Sequence, residues 1–278
     1  MKDQPPTGLT RRRRRLSDEE TQQRMLETAV AMVNRTGLTV SLEHISFEEV
    51  IRDAGVSRSA VYRRWPYKDL FFSDLLREIA RATTPAIAAG GSAIELVSSV
   101  IHDHLDWLET PELRHELCLE ILRQGALRDF ETIHGSTEWR TYIALHATFL
   151  SLDDGDLRTD VQHALARSEQ AFVDRMAAAY RHLADLLGYR LRPELGATFE
   201  TMAGLAQAGM RGLVTMAMST PDVATRRIRA TPFGSARTTD WSLPAIGAAA
   251  TAFSFIEPDP AVEWTAERLE RLRRSLGA

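Results

Sequence analysis

The sequence predicts an all-α protein built from a small N-terminal domain and a larger helical one. Apolar residues recur at helical spacing along most of the 278 residues, and no segment shows the sustained alternation typical of a strand. Near the N-terminus, two short capped segments meet at a glycine. We therefore expect a flexible basic arm over residues 1–16, a three-helix helix-turn-helix domain over 17–82, and a helical domain over 83–278 with an extended C-terminal tail.

The first helix is predicted from about Ser17 to Thr36, because Ser17 and Glu20 form a capping box. The fourth is predicted from about Tyr67 into Arg81. After it, Pro85 and the glycine pair at 90–91 are typical of a domain boundary.

Between these helices, the segment from Ser46 to Trp65 predicts two short helices around a tight turn. Ser46 with Glu49 forms a second capping box, so a helix begins at Phe47. Gly55 ends it, because glycine adopts positive φ without a Cβ clash. The inward face of this helix consists of Phe47, Val50, Ile51 and Ala54.

The second short helix is predicted to be capped by Ser57 and to stop near Trp65, before Pro66. Its inward residues are Ala60, Val61 and Trp65, which leaves Arg58, Ser59, Tyr62 and Arg63 facing outward. An ordinary helical hairpin with a solvated basic face is the alternative interpretation. The capped helices on either side, and the five arginines that precede them, favour a DNA-binding helix-turn-helix.

Residues 17–76 resemble the tetracycline-repressor (TetR) family of bacterial transcription regulators. The resemblance rests on Asn34-Arg35-Thr36-Gly37-Leu38, Ala54-Gly55-Val56-Ser57, Val61-Tyr62-Arg63-Arg64-Trp65 and Tyr67-Lys68-Asp69-Leu70. It implies that Arg58 and Ser59 approach base edges, while Tyr62 and Lys68 contact phosphates. The wider set of candidate DNA contacts adds Ser46, Ser57, Arg63, Arg64, Arg14 and Arg15.

The run Arg11 to Arg15 has two interpretations that the sequence leaves open. It is either a solvated tail or an arm that reaches phosphates or a minor groove, and both increase affinity for DNA at low salt.

The net charge of −4 excludes a globally basic nucleic-acid coat. Residues 1–80 hold 14 basic and 12 acidic side chains, so basic character is concentrated in the predicted DNA-binding part. The single Cys118 excludes an internal disulfide and fits a reducing compartment. With no signal peptide and no run of eighteen apolar residues, we expect a cytoplasmic protein that does not enter a membrane.

The second domain carries aromatic and Met side chains suited to an apolar ligand pocket, although such residues at helical spacing are also typical of a plain core. The candidates for ligand binding are His104, Trp107, Phe130, Trp139, Tyr142, His146, Phe149, Met176 and Tyr180. The two histidines lie on apolar stripes, where they are either satisfied core residues or cavity lining.

A helix predicted from about Pro193 to Met218 places Gly204, Ala208 and Gly212 on one face. Small residues on one ridge let a second helix approach closely, either within the bundle or across a homodimer interface, and the resemblance favours the interface. The segment from Ser219 to Asp240 is predicted to be a mobile or interface-wrapping arm that is irregular throughout or contains one short helix near Ala224 to Ile228. Helices are then expected over about 243–255 and from Asp259-Pro260 onward.

No Gly-rich phosphate loop, nucleophile elbow or paired-carboxylate signature appears, so we expect neither an enzyme nor a cofactor. His102 and His104 point about 200° apart on a helix and cannot share a metal ion. The sequence therefore predicts a homodimeric regulator, more often a repressor, that binds a near-palindromic operator in double-stranded DNA and responds to a small-molecule effector. The alternatives are a DNA-binding protein whose second domain only mediates protein contacts, and a helical enzyme.

Overall fold

The computed structural model describes residues 16–36, 45–82 and 89–275, which are mainly helical. The first four helices are α1 (Asp18–Thr36), α2 (Phe47–Ala54), α3 (Arg58–Arg64) and α4 (Lys68–Ala82). All four begin within a residue of the predicted positions. At the start of α1, Ser17 and Glu20 exchange the two hydrogen bonds of a capping box, at 2.8 and 3.0 Å.

The rest of the chain forms a bundle with short strands at its edge. Its helices are α5 (Ala89–Asp103), α6 (Pro111–Gly135), α7 (Thr137–Leu150), α8 (Asp156–Leu187), α9 (Phe199–Ala217), α10 (Asp222–Thr225), α11 (Leu243–Phe255) and α12 (Ala266–Ser275). Single 3-10 turns cover Leu105–Leu108 and Pro193–Leu195. The strands are β1 (Tyr189–Leu191), β2 (Arg227–Ala230), β3 (Thr239–Ser242) and β4 (Ile256–Pro258).

The N-terminal helices do not have a core separate from the bundle. Their buried residues, such as Met25, Val61 and Phe71, form one apolar cluster with Leu145 of α7 and Leu165 of α8. The expected division near residue 83 therefore does not separate two hydrophobic cores among the described residues. The glycine pair at 90–91 lies within α5, while Pro85 falls outside the described residues.

Two further apolar clusters fill the bundle. One joins α5, α6, α8 and α9 around Leu117, Phe199 and Ala203. The other joins α6, α7, α9 and α11 around Phe130 and Trp241. Along α8, Val161, Leu165, Phe172 and Leu187 are buried at helical spacing, so one face of this helix packs into the bundle over its length.

The expectation of an irregular arm over 219–240 is wrong. This segment contains α10 and then an antiparallel hairpin in which Arg227 pairs with Ser242 and Ala230 with Thr239. Two side chains of α6 hold its loop in place: His115 Nε2 donates to the Phe233 carbonyl at 2.7 Å, and the buried Glu116 accepts from Ser235 Oγ at 2.9 Å. Alternation was not visible in the sequence because each strand has only four residues.

Two helix starts also differ from the prediction. Gly196, at φ +55°, separates a 3-10 turn from α9, which Thr198 caps by accepting from Thr201 N at 3.3 Å. The last helix does not begin at Asp259-Pro260, because Asp259 instead forms a local turn by accepting from Ala261 N at 2.9 Å. Thr265 caps α12 at its actual start.

The C-terminal tail is fixed to the bundle. Strand β4 pairs with β1, placing Ile256 opposite Leu191 and Pro258 opposite Tyr189. Beyond it, the Trp264 ring lies between the guanidinium groups of Arg114 and Arg268, at 4.0 and 4.9 Å. A cation held over an indole face is attracted by the ring quadrupole, so the tail closes the end of the bundle where α6 and α8 meet.

Candidate nucleic-acid interface and ligand cavity

The turn between α2 and α3 sets which side chains reach solvent. Gly55 takes φ +64°, and Ser57 Oγ accepts from Ala60 N at 3.3 Å to start α3. Val61 and Trp65 are fully buried. As predicted, the opposite face with Arg58, Ser59, Tyr62 and Arg63 is exposed, and 74% of the Arg58 side chain is accessible.

Glu48, which the sequence interpretation overlooked, holds the two central side chains of this face. Its carboxylate lies 2.8 Å from Arg58 Nη2 and accepts from the Tyr62 hydroxyl at 2.8 Å. The hydrogen bond to Glu48 raises the pKa of Tyr62 above its ordinary value. The only signal in the sequence was an acid in the first turn of α2, which also suits an ordinary helix start.

The other basic residues of α3 contact the surrounding helices. Arg63 forms an ion pair with Asp18 of α1. Arg64 Nη2 lies 3.5 Å from Asp74 of α4, which also accepts from Trp65 Nε1 at 2.9 Å. Arg64 thus helps to fix the end of α3, in addition to any contact with a partner.

The remaining predicted DNA contacts are spread around the same face. Lys68 is the first residue of α4 and is exposed, with no ion-pair partner in the described ranges. The hydroxyls of Ser46 and Ser57 act as helix caps, which leaves each a proton to donate. Arg14 and Arg15 lie outside the described residues.

A chain of polar contacts connects this face to the bundle. Asp74 accepts from Arg77 Nη1 at 3.2 Å, and Arg77 Nε donates to Asp160 of α8 at 2.8 Å. Since Asp74 also binds Trp65, the end of α3 is linked through α4 to the longest helix.

An apolar cavity of about 70 Å³ lies inside the bundle between α6, α8, α9 and α11. Its lining consists of Cys118, Ile121, Leu122, Tyr180, Leu183, Ala184, Leu187, Tyr189, Met202, Ala206, Ala248, Ala252 and Ile256. Burial raises the pKa of the Cys118 thiol to about 12, so this cysteine acts as an apolar lining group. Sites for drug-sized ligands have volumes of roughly 300–1,000 Å³, so a ligand of that size must expand this cavity.

Only Tyr180 among the nine predicted ligand residues lines this cavity. Trp107 and Met176 pack in the apolar cluster around Leu117, Phe199 and Ala203, without lining the cavity. Phe130, Trp139 and Tyr142 belong to the cluster around Trp241. Phe149 packs against the N-terminal helices. His104 and His146 each direct Nδ1 to a carbonyl one turn earlier, at 2.9 Å, as satisfied core histidines do. Helical periodicity identified buried faces but not which faces meet.

Polar groups lie at the Tyr180 end of the cavity. Gln207 Nε2 is 3.5 Å from the Tyr180 hydroxyl, and the Asp129 carboxylate is close enough to contribute to the raised pKa of Tyr180, of which burial is the main cause. Burial also raises the pKa of Asp129 from 3.8 to about 6. Neither Asp129 nor Gln207 was selected from the sequence, because single polar residues on a helix usually face water.

The predicted ridge on α9 does not pack inside the monomer. Ala208 and Gly212 are exposed, and a Cβ atom at Gly204 or Gly212 would meet no described atom within 4 Å. Together with α11, the ridge borders a groove of about 340 Å³. Leu205 and Met216, on the same helix, are 53% and 55% exposed.

Within the described ranges, no cluster of three or more His, Cys, Asp or Glu side chains is placed to bind a metal ion. None of the described helices has the length and apolar character needed to span a bilayer.

No family model and no curated protein matches the chain. Among solved structures, reduced NemR from E. coli matches at 13% identity and a TM-score of 0.42, covering 86% of this chain and 98% of that one. SmeT is the repressor of the Stenotrophomonas maltophilia multidrug efflux pump SmeDEF. Its complex with triclosan matches at 19% identity and a TM-score of 0.38, covering 88% of this chain and 98% of that one. TylP, a TetR regulator from Streptomyces fradiae, matches at 13% identity and a TM-score of 0.32, covering 95% of this chain and 100% of that one. Because all these TM-scores are below 0.5, the conclusions that follow rest on the geometry of this chain.

Replacing Asp129 with Asn is expected to stabilise the protein at neutral pH. The folded state retains a proton on Asp129 up to a pKa of about 6, whereas the unfolded chain releases it near 3.8, so stability falls as pH rises through this window. The gain from Asp129→Asn should be near zero below the window and about 2 kcal/mol above it, since one pKa unit corresponds to about 1.4 kcal/mol and the site is partly open to water.

Urea unfolding of the wild type and Asp129→Asn at several pH values measures this difference. Glu131→Gln, at an exposed position on the same helix, makes the same change in charge and serves as the control. A stability difference that does not vary with pH would contradict the assignment.

Proposed function

We propose that the protein is a TetR-like, ligand-responsive DNA-binding transcription regulator that acts as a homodimer, more often as a repressor. The observation that carries this proposal is the exposed face of α3. Buried Val61 and Trp65 fix that helix, while Arg58, Ser59 and Tyr62 face solvent, and Lys68 is exposed at the start of the next helix. A short helix held in this way suits the major groove.

Base reading would fall to Arg58 and Ser59, since an Arg side chain can bind the edge of a guanine bidentately. Tyr62 and Lys68 would contact phosphates, which fixes the register of the protein on the duplex. Glu48 binds the guanidinium of Arg58 and the hydroxyl of Tyr62 when DNA is absent. DNA must therefore replace these two contacts. The negative charge of Glu48 also repels phosphates, which weakens binding to DNA of any sequence.

The groove between α9 and α11 supports a dimer interface. Glycine within an exposed helix is destabilising by about 1 kcal/mol relative to alanine, and no atom of the described residues occupies the space above Gly204 and Gly212. Close approach of the same face of a second chain accounts for both the glycines and the exposed Leu205 and Met216.

Ligand response would depend on the small cavity. A ligand that expands it displaces α8, and Asp160 on that helix binds Arg77 of α4, next to the buried end of α3. The ligand would thus favour a dimer whose recognition helices no longer match successive major grooves. A nearly complete switch needs a difference of about 5.5 kcal/mol in ligand affinity between the two states.

Variants of Arg58 and Lys68 test the proposed function. Arg58→Ala should reduce the preference for the protein's own promoter over random DNA by roughly tenfold or more, because a bidentate base contact discriminates by about 1–3 kcal/mol. Lys68→Ala should weaken both DNAs alike and lower the slope of affinity against salt by about one unit. Fluorescence anisotropy over a salt series measures both effects.

Because Arg58→Ala also frees Glu48, the comparison is repeated in a Glu48→Gln background. Equal loss of promoter and random binding in both backgrounds would refute base reading by Arg58. If the wild type does not bind its promoter at low ionic strength, the proposed function itself is wrong.

Glu48→Gln alone should increase affinity for random DNA by roughly threefold to tenfold, since it removes an exposed ion pair and one negative charge facing the phosphates. Promoter affinity should rise less, so the preference for the promoter falls. Glu27→Gln, at an exposed position on α1, is the matched control and should change neither affinity. Unchanged random binding by Glu48→Gln would show that the carboxylate does not compete with DNA.

Leucine at Gly204, Ala208 and Gly212 together should separate the dimer, because the added side chains prevent close approach of the two faces. Light scattering should give about twice the 31.1 kDa chain mass for the wild type and the single mass for the triple variant. Ala166→Leu, at an exposed site on α8, is the control. If the triple variant keeps its helicity and still has the mass of a dimer, the interface does not involve this face of α9.

A further inference from the structure

We propose that Asp129, Tyr180 and Gln207 form a recognition site for the cationic nitrogen of an amphipathic amine, whose apolar body occupies the adjoining cavity. This inference rests on the proposed function and names the chemical class of its effector. It depends on the positions of these three side chains and on the absence of hydrogen-bond or ion-pair partners for two of them within the described chain.

The three residues come from three different helices. Tyr180 of α8 lines the cavity and contacts Gln207 of α9. On α6, Leu122 lines the cavity, and Asp129 follows it by seven residues, which is nearly two full turns and so the same face. The Asp129 carboxylate is close enough to Tyr180 to contribute to its raised pKa. Asp129 and Gln207 thus lie next to Tyr180, just outside the side chains that line the cavity.

The polar atoms at this end lack partners. Asp129 has no hydrogen bond or ion pair within the described part of the chain. Gln207 is only 4% exposed, and its buried Oε1 meets no described donor. Buried polar groups in folded proteins almost always have partners, so the unpaired Gln207 oxygen indicates a bound donor that is not part of the described chain.

The charge of the missing group follows from the chemistry of these atoms. A carboxylate with a pKa of about 6 is ionised at neutral pH, and an ionised carboxylate in an apolar setting is destabilising unless a cation pairs with it. Arg211, one turn after Gln207 on α9, does not supply this charge, because its Nη1 contacts both oxygens of Glu169, at 2.7 and 2.8 Å. An ammonium group supplies both the positive charge and the donors that Asp129 and Gln207 lack.

The rest of the lining determines the body of the ligand. Apart from the hydroxyls of Tyr180 and Tyr189, the cavity surface is made of aliphatic groups and the neutral Cys118. An apolar amine with one charged end fits this distribution, whereas a polyamine would leave further charges against aliphatic side chains.

Three probes of similar shape and different charge test this inference: 4-phenylbutylamine, 4-phenylbutanol and 5-phenylvalerate. Calorimetric titration of the full chain at neutral pH, without DNA, should show the amine binding at least about tenfold more tightly than the alcohol, a difference of about 1.4 kcal/mol, and the anion most weakly. Asp129→Asn should remove the preference for the amine while leaving the alcohol unchanged. Gln207→Leu should weaken the amine more than the alcohol.

The control is Glu131→Gln, which makes the same change in net charge on the exposed side of α6 and should leave all three affinities unchanged. Equal binding of amine and alcohol by the wild type would overturn the inference. An unchanged amine preference in Asp129→Asn, or no binding of the amine up to about 1 mM, would do so as well.

These outcomes are separate from the test of the proposed function, because the titration uses no DNA. A protein that binds its promoter and is released only by neutral compounds would refute the amine site and leave the regulator intact. A protein that binds amines through Asp129 but ignores its promoter would refute the regulator.

Discussion

The hydrogen bond from the buried Trp65 indole to Asp74 is the contact on which the arrangement of α3, the proposed recognition helix, depends. Trp65 ends α3 and is fully buried, so its Nε1 requires an acceptor inside the protein. Asp74 supplies that acceptor from α4 and also binds Arg77, which reaches Asp160 of α8. The orientation of α3 is therefore set by the bundle as much as by its own turn at Gly55.

Under the proposed function, this dependence would give a ligand in the bundle a physical route to the exposed face of α3. Tyr180 at the cavity and Asp160 at the α4 contact lie on the same continuous helix, about 30 Å apart at 1.5 Å per residue. A helix held on both sides moves as one body, so displacing α8 near Tyr180 also displaces the partner of Arg77. Helix α8 contributes buried residues both to the apolar cluster around the cavity and to the cluster that contains the N-terminal helices, so its displacement affects both.

Features encoded by neighbouring residues were predictable, and features that join distant parts of the chain were not. The caps at Ser17, Ser46 and Ser57 and the left-handed Gly55 are local, and the structure contains all of them. Strand pairing between Tyr189 and Pro258 depends on residues far apart in sequence. Helical periodicity likewise showed that Tyr142 and Trp139 are buried, but not that they pack away from the cavity that Tyr180 lines. Glu48 and Asp129 were missed because their roles depend on contacts with other helices.

Two features that weaken the isolated monomer have the same physical explanation. An unpaired carboxylate beside an apolar cavity and glycines in the exposed face of α9 both reduce folding stability, and neither is compensated within the described chain. Residues at binding sites commonly lower the folding stability of the isolated chain, because they are arranged for contact with a ligand or a second chain. A cation in the cavity would neutralise Asp129, and a second chain would cover the ridge at Gly204 and Gly212. Because α9 carries both Gln207 and that ridge, the proposed ligand site and the proposed dimer interface lie on the same helix. Under the proposed function, a ligand would therefore act on the packing of the dimer through α9 as well as on α4 through α8.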